Sequence, residues 1–280
     1  MNNNSTVSAM KIDPHVYTAF PIAAARAVAF GNPNSMIKDP LASRLLAGQN
    51  HLLRGGAANE EYMTMRALLG DELVTAQHQH HGVRQVVFLG AGMDSRAFRL
   101  DLPGTVFFEV DKANLFEIKD PLLTGIPLTC AERKTVKGTL GEMDLGKSLT
   151  EAGFDKSKPT TWLMEGLLPY FTGPVMRNVA KSIGELSAPG SALWGDGFSK
   201  TSVDSGNMIF HGVPFESGFD DYDEVFREAG FDDAQVVDFS GIWLDRKARK
   251  VRVDERFVLT PERTRGRRVC LMVRASKSLN

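Results

Sequence analysis

The run VVFLGAGMDSRAFRL at residues 86–100 limits the fold of this chain more than any other stretch. Apolar residues lead into Gly90 and Gly92, and an amphipathic segment begins just after them. A buried strand that turns through glycines into a helix is the opening unit of a parallel α/β sheet, and the missing Cβ atoms let a ligand approach the backbone. Glu109-Val110-Asp111 closes the next apolar run, about where such folds place a ribose-binding carboxylate. Loop and acid together point to a nucleotide site; the loop alone would be an ordinary tight turn.

The same loop narrows the ligand. Ser95 stands where a dinucleotide fingerprint carries its third glycine, and Asp94 sets a carboxylate where a pyrophosphate would lie at the helix N-terminus. Two like charges there repel. A phosphate-free, cationic ligand such as S-adenosylmethionine is therefore expected ahead of NAD. An NAD-dependent oxidoreductase and a non-catalytic cofactor-binding protein are the alternatives.

Around this loop the chain changes texture. The polar start MNNNSTVSAM is expected to be disordered, while 16–30, 40–46 and 59–80 carry apolar residues at helical spacing. Residues 1–82 thus read as a helical N-terminal cap, and 83–280 as the α/β core. Core strands are expected at 85–89, 105–110, 161–164 and 192–195, with a weaker one near 127–131 and later ones at 234–239 and 269–274. Helices should start near Met93, Lys112, Gly173 and Asp221. The final strand is expected to pair antiparallel at the sheet edge. The Gly-, Ser- and Phe-rich stretch at about 197–220 reads as a lid without regular structure.

Composition excludes several classes. With 280 residues, 42% hydrophobic and 24% charged, and a net charge of −1, nothing attracts nucleic acid or an anionic membrane broadly. RKARKVR and RTRGRR read as solvated surface, and the histidines of HQHHG as a solvated helix end rather than a metal site. The two cysteines, Cys130 and Cys270, lack a secretory or CxxC pattern and read as core residues in a reducing compartment. With no signal-peptide pattern and no run of about 20 apolar residues, a cytoplasmic protein is expected, as a monomer or homodimer. No GxSxG elbow occurs.

Three motifs in order, LGAGMDSRAFRL, FFEVD and WLMEGLLPYF, resemble the leucine carboxyl methyltransferase family, which includes small-molecule O-methyltransferases associated with polyketide pathways. The resemblance runs from about Arg26 to Gly230. It implies a Rossmann-like α/β fold, a seven-stranded and mostly parallel sheet with helical cap and lid insertion, and S-adenosylmethionine as cofactor. By the family pattern Arg26 and Arg66 would meet the cofactor carboxylate, and Gly90, Ala91 and Gly92 would pass under its methionine part. Asp111, with Lys112 beside it, would bind the ribose. Glu165 and Gly166 of the MEG motif would sit near the amino group, and Thr139 and Leu140 near the adenine, although Thr139 replaces the family's usual acid. Asp94 and Arg96 would either contact the cofactor or cap the helix and pair locally.

The acceptor implied is a small molecule, apolar or aromatic, most simply with a carboxylate. That group is ionised near neutral pH and needs no base, whereas a phenol or alcohol does. His211 is the candidate base, and Tyr170 and Phe171 are candidates for the acceptor pocket, with Phe210, Phe215 and Trp243 suggesting apolar walls.

Overall fold

The computed structural model describes residues 12–54, 60–206, 208–245 and 247–279. The start MNNNSTVSAM and the Asn59 end of the expected third cap helix lie outside the described residues. α1 (Pro14–Tyr17) opens on Asp13, whose carboxylate accepts from the amides of His15 and Val16. α2 (Ala19–Gly31) follows, and its small residues Ala23, Ala24, Ala27 and Ala29 are buried. α3 (Glu60–His80) is the long helix of this region. The expected helix at 40–46 is instead a series of turns ending in a 3₁₀ turn, Arg44–Leu46, which stops at Ala47 in a left-handed conformation. The Asp39-Pro40 step favours a turn over a helix start.

The sheet begins with β1 (Gln85–Leu89), followed by α4 (Arg96–Arg99), which starts three residues later than expected. The positive φ of Gly92 and the Asp94 turn, whose carboxylate accepts from the Arg96 amide, use up the intervening residues. Next come β2 (Leu102–Asp111), α5 (Ala113–Leu123) and β3 (Cys130–Lys137). β3 overlaps the expected 127–131 only at Cys130 and Ala131 and runs on to Lys137, because its sequence, CAERKTVK, hides apolar periodicity behind charges. Such charges protect an edge strand from pairing with another chain. α6 (Leu145–Glu151), β4 (Thr160–Met164), α7 (Gly173–Glu185) and β5 (Ala192–Phe198) complete the parallel part.

The stretch expected to be an irregular lid contains structure: α8 (Lys200–Asp204) and a small hairpin of β6 (Ile209–Phe210) and β7 (Val213–Pro214). β5 itself runs three residues past its expected end, because Asp196, Gly197 and Phe198 pair with Met272, Leu271 and Cys270. Two glycines in the strand had obscured that extension. α9 (Tyr222–Glu228) and β8 (Asp233–Asp238) follow, then a ribbon of β9 (Ile242–Asp245) and β10 (Lys250–Val253), the short β11 (Val258–Leu259) and β12 (Cys270–Ser276).

The sheet order is β3-β2-β1-β4-β5-β12-β8-β11, eight strands where seven were expected, the extra one being β11. The first five pair in parallel, and β12 is antiparallel to both neighbours. β12 is antiparallel as expected, but inside the sheet rather than at its edge. Alternation along β1 separates two cores: Val87 and Leu89 pack with Trp162 and Met164 on one face, Val86 and Phe88 with Leu163 and Trp194 on the other. From β1 the chain order runs to β2 on one side and β4 on the other, and the carboxyl ends of strands at such a switch point form the ligand crevice of α/β sheets.

Candidate functional site

Two loops meet at that crevice. Asp111, at the end of β2, accepts the Gly92 amide on Oδ2 at 2.8 Å and the Lys112 amide on Oδ1 at 2.7 Å, so one carboxylate ties the glycine loop to the start of α5. Burial pushes its carboxyl above the ordinary value. Gly90 and Gly92 adopt φ of +66° and +46°; a Cβ would come within 3.0 Å of Leu167 at the first and 3.1 Å of Ala19 at the second. Lys112 reaches back to Asp13 at 3.2 Å, clasping the cap to this loop.

Behind the loop lies a buried charge network centred on Arg96, only 1% exposed. Its guanidinium donates to Asp71 at 2.7 Å, Asp94 at 2.8 Å, Glu165 at 2.7 Å and the Ala67 carbonyl at 2.9 Å. Arg99 forks onto Asp71 beside it. The structure thus makes Asp94 a helix cap and an ion-pair partner. Burial opposes its ionisation, but Arg96 and neighbouring cations hold its carboxyl below the ordinary range. The repulsion expected between Asp94 and a pyrophosphate loses its force, because Arg96 neutralises that carboxylate at contact distance. Arg96 itself stands behind the cavity wall rather than in it.

Arg26 and Arg66 are buried, not surface ion pairs. Arg26 donates to Asp39 at 2.8 Å and to the Met93 carbonyl at 2.5 Å; Arg66 donates to Asp196 at 3.2 Å. Glu165 follows β4, and burial pushes its carboxyl up to about 7 against the pull of Arg96 and Arg66. Gly166, at φ +66°, donates its amide to Asp196 Oδ1 at 2.7 Å; a Cβ there would lie 2.9 Å from Arg66.

A cavity of about 990 Å³ joins these groups to a second, aromatic end. Arg26, Arg66, Gly90, Ala91, Gly92, Asp94, Asp111, Lys112, Thr139, Leu140, Glu165 and Gly166 all line it, as do Tyr170 and Phe171. At the aromatic end Phe215 meets Tyr170 edge-on at 5.2 Å and stacks on Phe198 at 5.3 Å, while His15 of α1 meets Tyr170 at 5.9 Å. Burial raises the Tyr170 phenol, so it is not a base near neutral pH. Phe210 lines the cavity too.

Two expected residues are not brought together with the rest. His211 is exposed at the turn between β6 and β7, with its ring against Phe210 and Tyr17, outside the cavity wall. Trp243 is 48% exposed on β9 and also outside. Cys130 is buried as expected, whereas Cys270 lines the cavity. His78 of the HQHHG cluster lies 3.0 Å from the Thr105 hydroxyl.

Sequence reasoning missed Asp196 and Tyr62. Both line the cavity, and Tyr62 donates to Asp196 Oδ2 at 2.5 Å. An acid between two glycines in the apolar run LWGDGF was a signal, as was Tyr62 one helical turn before Arg66.

The sequence pattern of the leucine carboxyl methyltransferase family matches residues 19–184, more than half of the chain and every element from α2 to most of α7. The chain belongs to the leucine carboxyl methyltransferase family. This family member is 35% identical over 195 residues to a "Putative S-adenosyl-L-methionine-dependent methyltransferase" of Mycolicibacterium gilvum, covering 63% of this chain and 64% of that protein. A protein of the same description from Mycolicibacterium smegmatis is 39% identical over 194 residues, with 63% and 64% covered. The chain thus matches just under two thirds of the length of these relatives. A crystal structure described as a "putative methyltransferase" from Thermobifida fusca shares the fold at 14% identity, with a TM-score of 0.52 over 91% of this chain and 94% of that one. No helix among the described residues is long and apolar enough to cross a membrane.

Proposed function

We propose that the chain is an S-adenosylmethionine-dependent methyltransferase acting on an oxygen of a small, largely apolar molecule. The observation that carries this is the one cavity with two unlike ends, glycine loops and buried charges at one and aromatic rings at the other. Family membership supports the donor, and the site chemistry fits it. Arg26 and Arg66 offer guanidinium donors to its carboxylate, Glu165 a carboxylate to its ammonium, and Asp111 retains lone pairs for a ribose beyond those used by two amides. Thr139 and Leu140 would border the adenine. Gly90, Gly92 and Gly166 keep the backbone open where side chains would crowd the cradle, and Ala91 between the first two adds only a methyl group. Lys112 would act indirectly, by holding Asp13.

When bound, this donor supplies an electrophilic methyl group on a positively charged sulfur. The protein's task is alignment and exclusion of water. Residues 1–82 serve in this reading as a cap and 197–220 as a lid: His15, Thr18 and Ala19 wall the cavity from one side, Met208, Phe210 and Phe215 from the other. Tyr170 sits between them as an acceptor contact, not as a base. A carboxylate acceptor needs no proton removal, so the lack of a role for His211 does not count against it. A hydroxyl acceptor is the second reading, favoured by the Tyr62–Asp196 pair.

The test combines calorimetry with transfer. S-adenosylmethionine and its demethylated product are expected to bind, and labelled methyl to appear in aromatic carboxylic acids or phenols. Tight binding of NAD with none of the methyl donor would overturn the reading.

A further inference from the structure

We propose that Tyr62 selects a hydroxyl acceptor, accepting its hydrogen bond and relaying its proton to Asp196. The inference rests on the methyl-transfer reading above and decides between its two acceptors.

Asp196 ends the parallel part of the sheet, 1% exposed between Gly195 and Gly197. Three donors meet its carboxylate: the Gly166 amide on Oδ1 at 2.7 Å, and the Tyr62 hydroxyl at 2.5 Å and Arg66 at 3.2 Å on Oδ2. A tyrosine has one hydroxyl proton, and here it points to Asp196. What Tyr62 Oη has left is lone pairs. A ligand group that meets it must therefore donate. A phenol or alcohol does so, whereas an ionised carboxylate would bring lone pair against lone pair.

The surroundings agree. Burial and the Asp196 carboxylate push the Tyr62 phenol well above its ordinary value, so its proton stays in place in the resting site. The other charged or titratable groups that face the pair are Arg66 from the same helix, Glu165 and Tyr170 after β4, Tyr222 from α9 and Cys270 from β12. Phe239 meets the Tyr62 ring edge-on at 4.8 Å and lines the cavity, so a flat acceptor ring finds apolar neighbours beside the hydroxyl.

The step balances without a further reagent. The acceptor oxygen bonds to the methyl carbon as the carbon–sulfur bond breaks, its electron pair remaining on sulfur. The acceptor proton moves to Tyr62 Oη, the Tyr62 proton moves to Asp196 Oδ2, and Asp196 yields a proton to solvent when the products leave. Proton transfer of this kind contributes about 100-fold or more to a rate.

The test uses the full chain, Tyr62→Phe, and three probes: phenol, 4-nitrophenol and benzoate. Phenol must lose its proton during transfer, while 4-nitrophenol is substantially ionised at mildly alkaline pH. The wild type is expected to methylate phenol ahead of benzoate. Tyr62→Phe should lower kcat on phenol about 100-fold, lower it only slightly on 4-nitrophenol, and leave the Kd for S-adenosylmethionine within about twofold. Asp196→Asn should show the same contrast between the two phenols. Equal losses on both phenols would reveal a merely structural role and overturn the relay. A wild type that binds the donor yet methylates neither phenol overturns the selection alone, and one that binds no donor overturns the methyl-transfer reading with it.

Discussion

The two ends of the cavity are built on opposite principles. At the glycine end Asp111, Arg26 and Asp94 are each fastened to partners within the protein. At the aromatic end Phe215, just after the small hairpin, holds Tyr170 after β4 and Phe198 at the end of β5 through ring contacts. A ligand at the first end meets a preset electrostatic field. At the second it meets a shape, and shape changes with each side chain.

The largest effect should come from breaking the network behind the glycine end. Arg96→Ala strands Asp94 and Glu165 in the interior, while Asp71 keeps its fork from Arg99, and removal of one partner from a buried ion network costs about 3–5 kcal/mol. Urea denaturation measures it; a loss below about 1 kcal/mol would show that the network does not hold the fold. Asp111→Ala should weaken S-adenosylmethionine about 10–100-fold, the value of hydrogen bonds to a charged group, with little change in acceptor KM. Equal effects on donor and acceptor would erase the distinction between the ends. Phe215→Ala is expected to do the converse, raising acceptor KM about tenfold through lost area and ring contacts while leaving donor Kd alone.

The smallest effect is one of pH. With the Glu165 carboxyl raised from 4.5 to about 7 in the free protein, a donor whose ammonium favours the ionised form must expel a proton below that pH. Donor affinity should rise a few-fold as pH climbs through about 7, and calorimetry in buffers of different ionisation enthalpy should show proton release that Glu165→Gln abolishes. The same shift makes this group's contribution to stability greatest below pH 4.5 and lost as pH rises through about 7.

How much could be read in advance follows the same division. The strand, glycine loop and acid at 85–111 announced themselves because backbone approach to a ligand demands glycine and a ribose demands a carboxylate at a set remove. β3 is legible only at its start because an edge strand tolerates charge, and the end of β5 is hidden because glycines flank its acid. The sequence allows Arg96 two roles, and only the three-way fork to Asp71, Asp94 and Glu165 shows where it points. His211 looked catalytic as a lone histidine in a loop, but a hairpin turn carries it to the outside. The pairing of Tyr62 with Asp196 joins residues 134 positions apart, beyond the reach of any local pattern.

The place of β12 has a consequence for how the chain is made. Residues 270–276 form the inner strand between β5 and β8, and Cys270 belongs to the cavity wall. During synthesis β1 to β5 leave the ribosome well before that gap is filled, and until it is, β5 presents an unpaired edge to other chains. A nascent chain stopped short of β12 would lack part of the cavity wall, so the finished site can appear only after this late strand has been threaded between two earlier ones.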